Sequence, residues 1–186
     1  MHKAFIYRLY PTEKQAEQLA WVLDRCRELY NAALEEWREA YRMAGKGLGY
    51  CDQAGELPGL KEACPEYKQV GSQVLQNVLK RVEQAFAAFF RRVRAGQKPG
   101  YPRFRGRDRY DSVTYTQAGW RLQDGRLVLT GIGRIKVKLH RPVQGTIKTV
   151  TLKRSCGSMP WPRVSVMLRG HNSSPSSPPK RQKLGA

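Results

Sequence analysis

The spacing of apolar residues changes at Gly96, and no single class of secondary structure satisfies both sides of that change. From Thr12 to Gly96 apolar residues recur every three or four positions, the period of a helix; beyond Gly96 they alternate, the period of a strand. Leu19, Leu23, Cys26, Tyr30, Ala33, Trp37 and Tyr41 predict one face of a helix about eight turns long, ending near Gly45, with charged residues such as Glu28, Glu35, Arg38 and Glu39 on the solvated side. Thr12 stands where an N-cap belongs, and Gln15 three residues on completes a capping-box pattern. A second long helix is predicted from Ser72, with Leu75, Val78, Leu79, Val82, Phe86, Phe89, Phe90 and Val93 as its stripe. It ends in Arg91, Arg92 and Arg94, cations where the helix dipole favours them.

Between these helices, Gly45, Gly47 and Gly49 read as a flexible turn, and residues 52–70 as a short helix or two broken by Pro58, Gly59 and Pro65. The opening K-A-F-I-Y-R-L-Y at 3–10 reads as a strand. Strands are also predicted at 112–117, 126–130, 134–140 and 146–154, with Asp124-Gly125 as a hairpin signal ahead of the second. Short strands at this spacing predict a small antiparallel barrel, so the fold class is α+β. From Cys156 the pattern loosens, with prolines inside what should be a strand, and residues 171–186 have the composition of a disordered tail.

Charge divides the chain at nearly the same point. Residues 1–90 hold 12 Lys+Arg and 12 Asp+Glu, whereas residues 91–186 hold 22 Lys+Arg against Asp108, Asp111 and Asp124 alone, so the second half carries the whole net charge of +19. Such a field attracts polyanions, with nucleic acid ahead of an anionic membrane surface. At 40% hydrophobic residues the chain can bury a core, and it has no apolar run of membrane-spanning length. No secretory signal opens it, which predicts a cytoplasmic, nucleoid-associated protein with reduced thiols.

The densest candidate site is Q-K-P-G-Y-P-R-F-R-G-R-D-R at 97–109. Prolines and glycines exclude a helix or a central strand there. Lys98, Arg103 and Arg105 suit phosphates, while Tyr101 and Phe104 suit base stacking or, equally, anchorage in the core. Arg91 and Arg92 extend the basic surface, and Lys136 and Lys138 form a cationic stripe on the strand 134–140, opposite Ile135, Val137 and Leu139. Cys26, Cys51, Cys64 and Cys156 form no C-x-x-C pair and have no histidine at zinc-ligand spacing, so no metal or cofactor is predicted. Gly45–Gly49 does not match a phosphate loop.

Four stretches carry a family resemblance: K-A-F-I-Y-R-L-Y-P-T at 3–12, R-x-L-Y-N at 27–31, F-F-R-R-V-R-A-G-Q-K-P-G-Y-P-R-F at 89–104, and L-x-L-x-G-I-G-R-I-K-V-K-L-H-R-P at 127–142. Over residues 3–155 the chain resembles the N-terminal part of the TnpB (OrfB) family, transposase-associated, RNA-guided DNA nucleases of insertion sequences. The resemblance implies a wedge-like β-barrel, here residues 1–11 plus 97–168, with an inserted helical recognition lobe at 12–96 that includes a helix-turn-helix region, and a tail at 169–186. It implies guide RNA and duplex DNA as partners. It places Tyr50 and Gln76 near the reading of a short target-adjacent motif, where a glutamine can pair with adenine; Ser72 and Gln73 depart from the residues relatives carry. Gln117 joins the candidate nucleic-acid contacts. The family's chemistry belongs to a RuvC-like domain with three metal-holding carboxylates, followed by a four-cysteine zinc element. No acidic cluster of that kind occurs here, so no catalytic residue is assigned and the chain is expected not to cleave. Two other readings remain: a nuclease-free DNA-binding regulator, or part of an active nuclease whose RuvC-like domain is encoded in another frame.

Overall fold

The computed structural model describes residues 2–107, 109–140, 146–154 and 163–169, with residues 2, 3 and 163–169 as backbone alone. Strand β1 (His2–Tyr10) leads into helix α1 (Glu13–Ala44). The Thr12–Gln15 capping box is formed, and the Gln15 side chain reaches on to donate to the Arg134 carbonyl at 2.9 Å, which ties the start of α1 to the sheet. Helices α2 (Tyr50–Gly55) and α3 (Leu57–Ala63) and a 3-10 turn at Pro65–Gln69 follow, then helix α4 (Ser72–Arg94).

Strands β2 (Ser112–Tyr115), β3 (Trp120–Gln123), β4 (Arg126–Leu129), β5 (Gly133–Lys138), β6 (Thr146–Lys153) and β7 (Arg163–Arg169) join β1 in one antiparallel sheet of order β2-β6-β7-β1-β5-β4-β3. The sheet curls into a half-barrel, open between its end strands β2 and β3, where the alternation predicts a barrel. The β3–β4 connection is the Asp124-Gly125 turn, with φ of 49° and 68° at the two residues and Gln123 paired with Arg126.

One hydrophobic cluster runs from the helices into the concave side of the sheet. Leu19, Leu34, Leu75 and Val82 share it with Tyr7, Leu127, Ile135 and Val150. Each such side chain contributes on the order of 1.5–3 kcal/mol by leaving water. The predicted stripes supply this core except at their C-terminal ends: Tyr41 and Val93 are exposed, because the last turns of α1 and α4 run past the packed core.

Three expectations are corrected. Pro58 does not break a helix; it sits in the first turn of α3, where its missing N–H is no loss. The Gly45–Gly49 stretch is a shaped connection: Gly45 caps α1 at φ 65°, and the backbone of Gly47 passes so close to Trp37 that a Cβ would lie 2.2 Å from its ring. The stretch after Cys156 is not degenerate throughout, since 163–169 is β7, hydrogen-bonded to both β1 and β6. Of the expected tail at 169–186, Arg169 closes β7, while residues 170–186 and the Cys156–Trp161 transition lie outside the described residues.

Candidate nucleic-acid interface

Residues 101–107 lie along α1 and run against its direction. Three polar residues of α1, seven positions apart and so on one helix face, receive them. Asp24 takes an ion pair from Arg107 at 3.4 Å. Asn31 donates to the Arg105 carbonyl at 3.0 Å and accepts from the Arg105 N–H at 2.8 Å. The Arg38 guanidinium lies 5.9 Å from the Tyr101 ring centroid and 5.4 Å from that of Phe104. Arg105 in turn covers the ring of Tyr30, and Tyr30 meets Tyr110 where the segment enters the sheet.

The two rings of this strap are neither core anchors nor free. Tyr101 meets Phe86 and Phe89 of α4 edge to face, at 5.8 and 5.2 Å, yet remains 43% exposed, and Phe104 remains 45% exposed. Lys98 and Arg103 are exposed beside them, as are Arg91 and Arg92 at the C-terminal end of α4. This end is closed by Gly96 at φ 64° and a bond from the Gln97 N–H to the Arg92 carbonyl.

On α4, Arg81 fixes the next stretch of chain. It donates to the Ser112 carbonyl at 2.7 Å and the Thr114 hydroxyl at 2.8 Å, and it lies over the ring of Tyr110. Burial pushes the Tyr110 phenol up from its ordinary range, so this ring is neutral at physiological pH. A cavity of about 340 Å³ opens here between Arg81, Arg105, Arg109 and Ser112.

Lys136 and Lys138 are exposed on the convex face of β5, while Ile135 and Val137 are buried. Register places Lys136 between Tyr10 and Arg126, and Lys138 beside Arg8, so cations from three strands share this face. A second cavity of about 350 Å³ lies on it, lined by Gln123, Asp124, Arg126, Val128 and Arg134.

The predicted site residues therefore fall in several places. Arg91, Arg92 and Lys98 lie at the C-terminal end of α4, Tyr101, Arg103, Phe104 and Arg105 lie on the strap along the second half of α1, and Lys136 and Lys138 lie on the sheet. Gln76 is exposed on α4, Tyr50 is half-buried at the start of α2, and Gln117 is exposed in the β2–β3 connection. That connection is held by Gln73, whose side-chain oxygen accepts from the N–H groups of Gln117 and Ala118 at 2.9 and 2.7 Å. Sequence reasoning missed Asp24, Asn31 and Arg38 as the strap's seat; their seven-residue spacing was the available signal. Among the described residues, no three His, Cys, Asp or Glu side chains are grouped to hold a metal, and no helix is long and apolar enough to cross a membrane.

Comparison with known proteins adds relatives. Residues 1–46 match the helix-turn-helix domain of OrfB from IS605-type elements; in this structure they form β1 and the single helix α1. The chain is 31% identical over 180 residues to "Putative RNA-guided DNA endonuclease InsQ" of Escherichia coli (strain K12), covering 95% of this chain and 42% of that protein. It is 30% identical over 158 residues to a Streptomyces pristinaespiralis protein of the same description without the InsQ designation, covering 82% of this chain and 38% of the relative. The chain thus spans about two-fifths of the length of these relatives. The strap and the basic sheet fall within the span shared with the first of these relatives, and over that span the chain is similar to RNA-guided DNA endonucleases, with an OrfB-type helix-turn-helix match at its start.

Proposed function

We propose that this chain is the nucleic-acid-binding part of a TnpB-type RNA-guided DNA endonuclease, holding guide RNA and target-adjacent duplex DNA without cutting either. The helices at 12–96 act as the recognition lobe, and residues 1–11 with 97–168 act as the wedge-like domain. The observation that carries this reading is the strap: a run of cations and half-open rings, fastened to α1 at Asp24, Asn31 and Arg38. Fastening matters, because a surface already ordered gives up less entropy on binding than a loose basic loop.

Phosphate contacts from Arg91, Arg92, Lys98, Arg103, Arg105, Lys136 and Lys138 supply most of the affinity, and Tyr50, Gln76 and Gln117 meet base edges. Residues 91–186 contain only three carboxylates, Asp108, Asp111 and Asp124, while two-metal phosphodiester cleavage requires carboxylates clustered around the metals. A protein of this charge resides with the nucleoid.

The test is a binding titration with a structured RNA and a duplex at two salt concentrations, with the nucleic acid recovered afterwards. Binding that weakens steeply with salt, and intact substrates after incubation with divalent metal, are the expected results. Salt-independent or absent binding would overturn the reading, as would strand scission by the pure chain.

A further inference from the structure

We infer that Tyr101, Arg38 and Phe104 together form a stacking site for unpaired nucleobases, so that the strap surface takes single-stranded nucleic acid in preference to duplex. This rests on the nucleic-acid reading above and adds which form of nucleic acid this surface holds.

Tyr7, Tyr30, Trp37, Tyr67, Phe86, Tyr110 and Tyr115 are buried, whereas Tyr10 and Tyr41 are exposed singly, on β1 and α1 rather than on the strap. Tyr101 and Phe104 are close neighbours in sequence and leave nearly half of each side chain in water. They are not loosely exposed. Tyr101 is braced edge to face by Phe86 and Phe89, and Phe104 precedes the residue whose backbone Asn31 grips from both sides.

Arg38 lies within 6 Å of both ring centroids. A guanidinium plane is itself a stacking surface for bases, and it carries the positive charge a nearby phosphate needs. Two half-exposed rings gathered around one guanidinium make a short platform.

The surroundings select the ligand. Lys98 precedes the strap, Arg103 and Arg105 lie on it and Arg91, Arg92 and Arg94 lie on the adjoining end of α4; of the acids along this stretch of α1, Glu39 is paired to Arg42 and Asp24 to Arg27 and Arg107, which leaves exposed Glu35 against six cations. An apolar protein partner would meet uncompensated cations at this rim. A single strand satisfies both parts, with phosphates on the cations and π-faces on the rings. A duplex satisfies only the cations, because its bases are already stacked on one another.

The experiment uses the full chain and four fluorescein-labelled probes of equal length at one salt concentration: an oligo-thymidine strand, an oligo-uridine strand, an abasic strand with the same phosphates, and a duplex. The first comparison needs no variant. The base-bearing strands should bind roughly tenfold or more tighter than the abasic strand, given the usual strength of base–aromatic stacking. The thymidine and uridine arms separate DNA from RNA as the source of the bases, and tighter binding of either one than of the abasic strand supports the site.

Tyr101→Leu with Phe104→Leu, which keeps apolar bulk, should erase that advantage and leave duplex affinity within about twofold. Arg38→Lys, which keeps the charge and removes the plane, should weaken the base-bearing strands in the same selective way. Abasic and base-bearing strands binding alike would overturn the stacking site, as would a double variant that weakens strand and duplex equally. No binding to any probe would instead overturn the nucleic-acid reading on which the site rests.

Discussion

The Asn31 carboxamide and the backbone of Arg105 hold each other through two hydrogen bonds, one in each direction, across 74 residues of sequence. The pairing decides whether the basic segment is a surface or a loose loop.

Asn31→Ala removes both bonds at an exposed site, where a pair of this kind contributes about 1–2 kcal/mol. The expected loss is local. Trypsin cleavage at Arg103, Arg105 and Arg107 should accelerate about fivefold or more in the folded protein, with a fall in melting temperature of only a few degrees. Unchanged cleavage kinetics at these sites would show that the carboxamide does not hold the segment.

Gly47→Ala places a methyl group where the Trp37 indole already is, 2.2 Å from Cζ2. Trp37 cannot retreat freely, since it stacks on Phe86 with centroids 3.6 Å apart and on Tyr41 at 5.5 Å. Overpacking of this kind costs about 1–3 kcal/mol, or a fall of roughly 3–10 °C in a thermal melt of a chain this size. A variant that melts with the parent would mean the ring moves aside without cost.

Arg81→Met keeps the aliphatic stem and removes the bonds to the Ser112 carbonyl and the Thr114 hydroxyl. Loss of these charge-assisted bonds between α4 and β2 should destabilise by about 2–3 kcal/mol, read as a lower urea midpoint with an unchanged slope. A midpoint equal to that of the parent would remove Arg81 as the fastening of β2.

Alkaline pH probes the core. Burial pushes the Cys26 thiol and the Tyr67 phenol up to about 12, and raises the Tyr110 and Tyr115 phenols as well. Each group stays neutral longer in the folded chain than in the unfolded one. Their contribution is therefore whole below about pH 9 and is lost as pH climbs toward 12, with a slope of up to about 1.4 kcal/mol per pH unit for each group titrating. Urea midpoints should be flat from pH 7 to 8.5 and fall steadily from 9.5 to 11; flat midpoints through pH 11 would contradict this burial. Alkylation should mark exposed Cys51 quickly and Cys26 only on unfolding.

The convex face of β5 is tested by salt. Lys136→Gln with Lys138→Gln should lower the slope of log affinity against log salt on duplex DNA by about 0.9 for each phosphate no longer neutralised, hence by about 1.8 for the two lysines. An unchanged slope would place the phosphates elsewhere.

Much of this architecture is legible from residues alone, for a physical reason. The helices α1 and α4 declare themselves through local signals: apolar residues on one face, Thr12 and Gln15 at a start, arginines and Gly96 at an end. Five strands and the Asp124-Gly125 turn are equally local. What stays hidden is set by distant partners. β3 is four residues long and is a strand because β4 pairs with it. β7 follows prolines that look like interruptions, yet Pro162 stands just ahead of Arg163 and removes no donor from within the strand. Likewise Tyr101, Phe104 and the strap's cations can be picked out by composition, but Asp24, Asn31 and Arg38 look like ordinary solvated-face residues until the segment that covers them is in place.

The central position of β7 bears on how such a chain is made. β1 leaves the ribosome first and β7 last among the described strands, yet they lie side by side, and β7 is what joins β2-β6 to β1-β5-β4-β3. A nascent polypeptide can assemble α1 against α4 early, through contacts close in sequence, but it holds two separate strand clusters with bare edges until residue 169 emerges. Synthesis halted shortly before that residue should therefore yield a helical product that associates with itself through those edges.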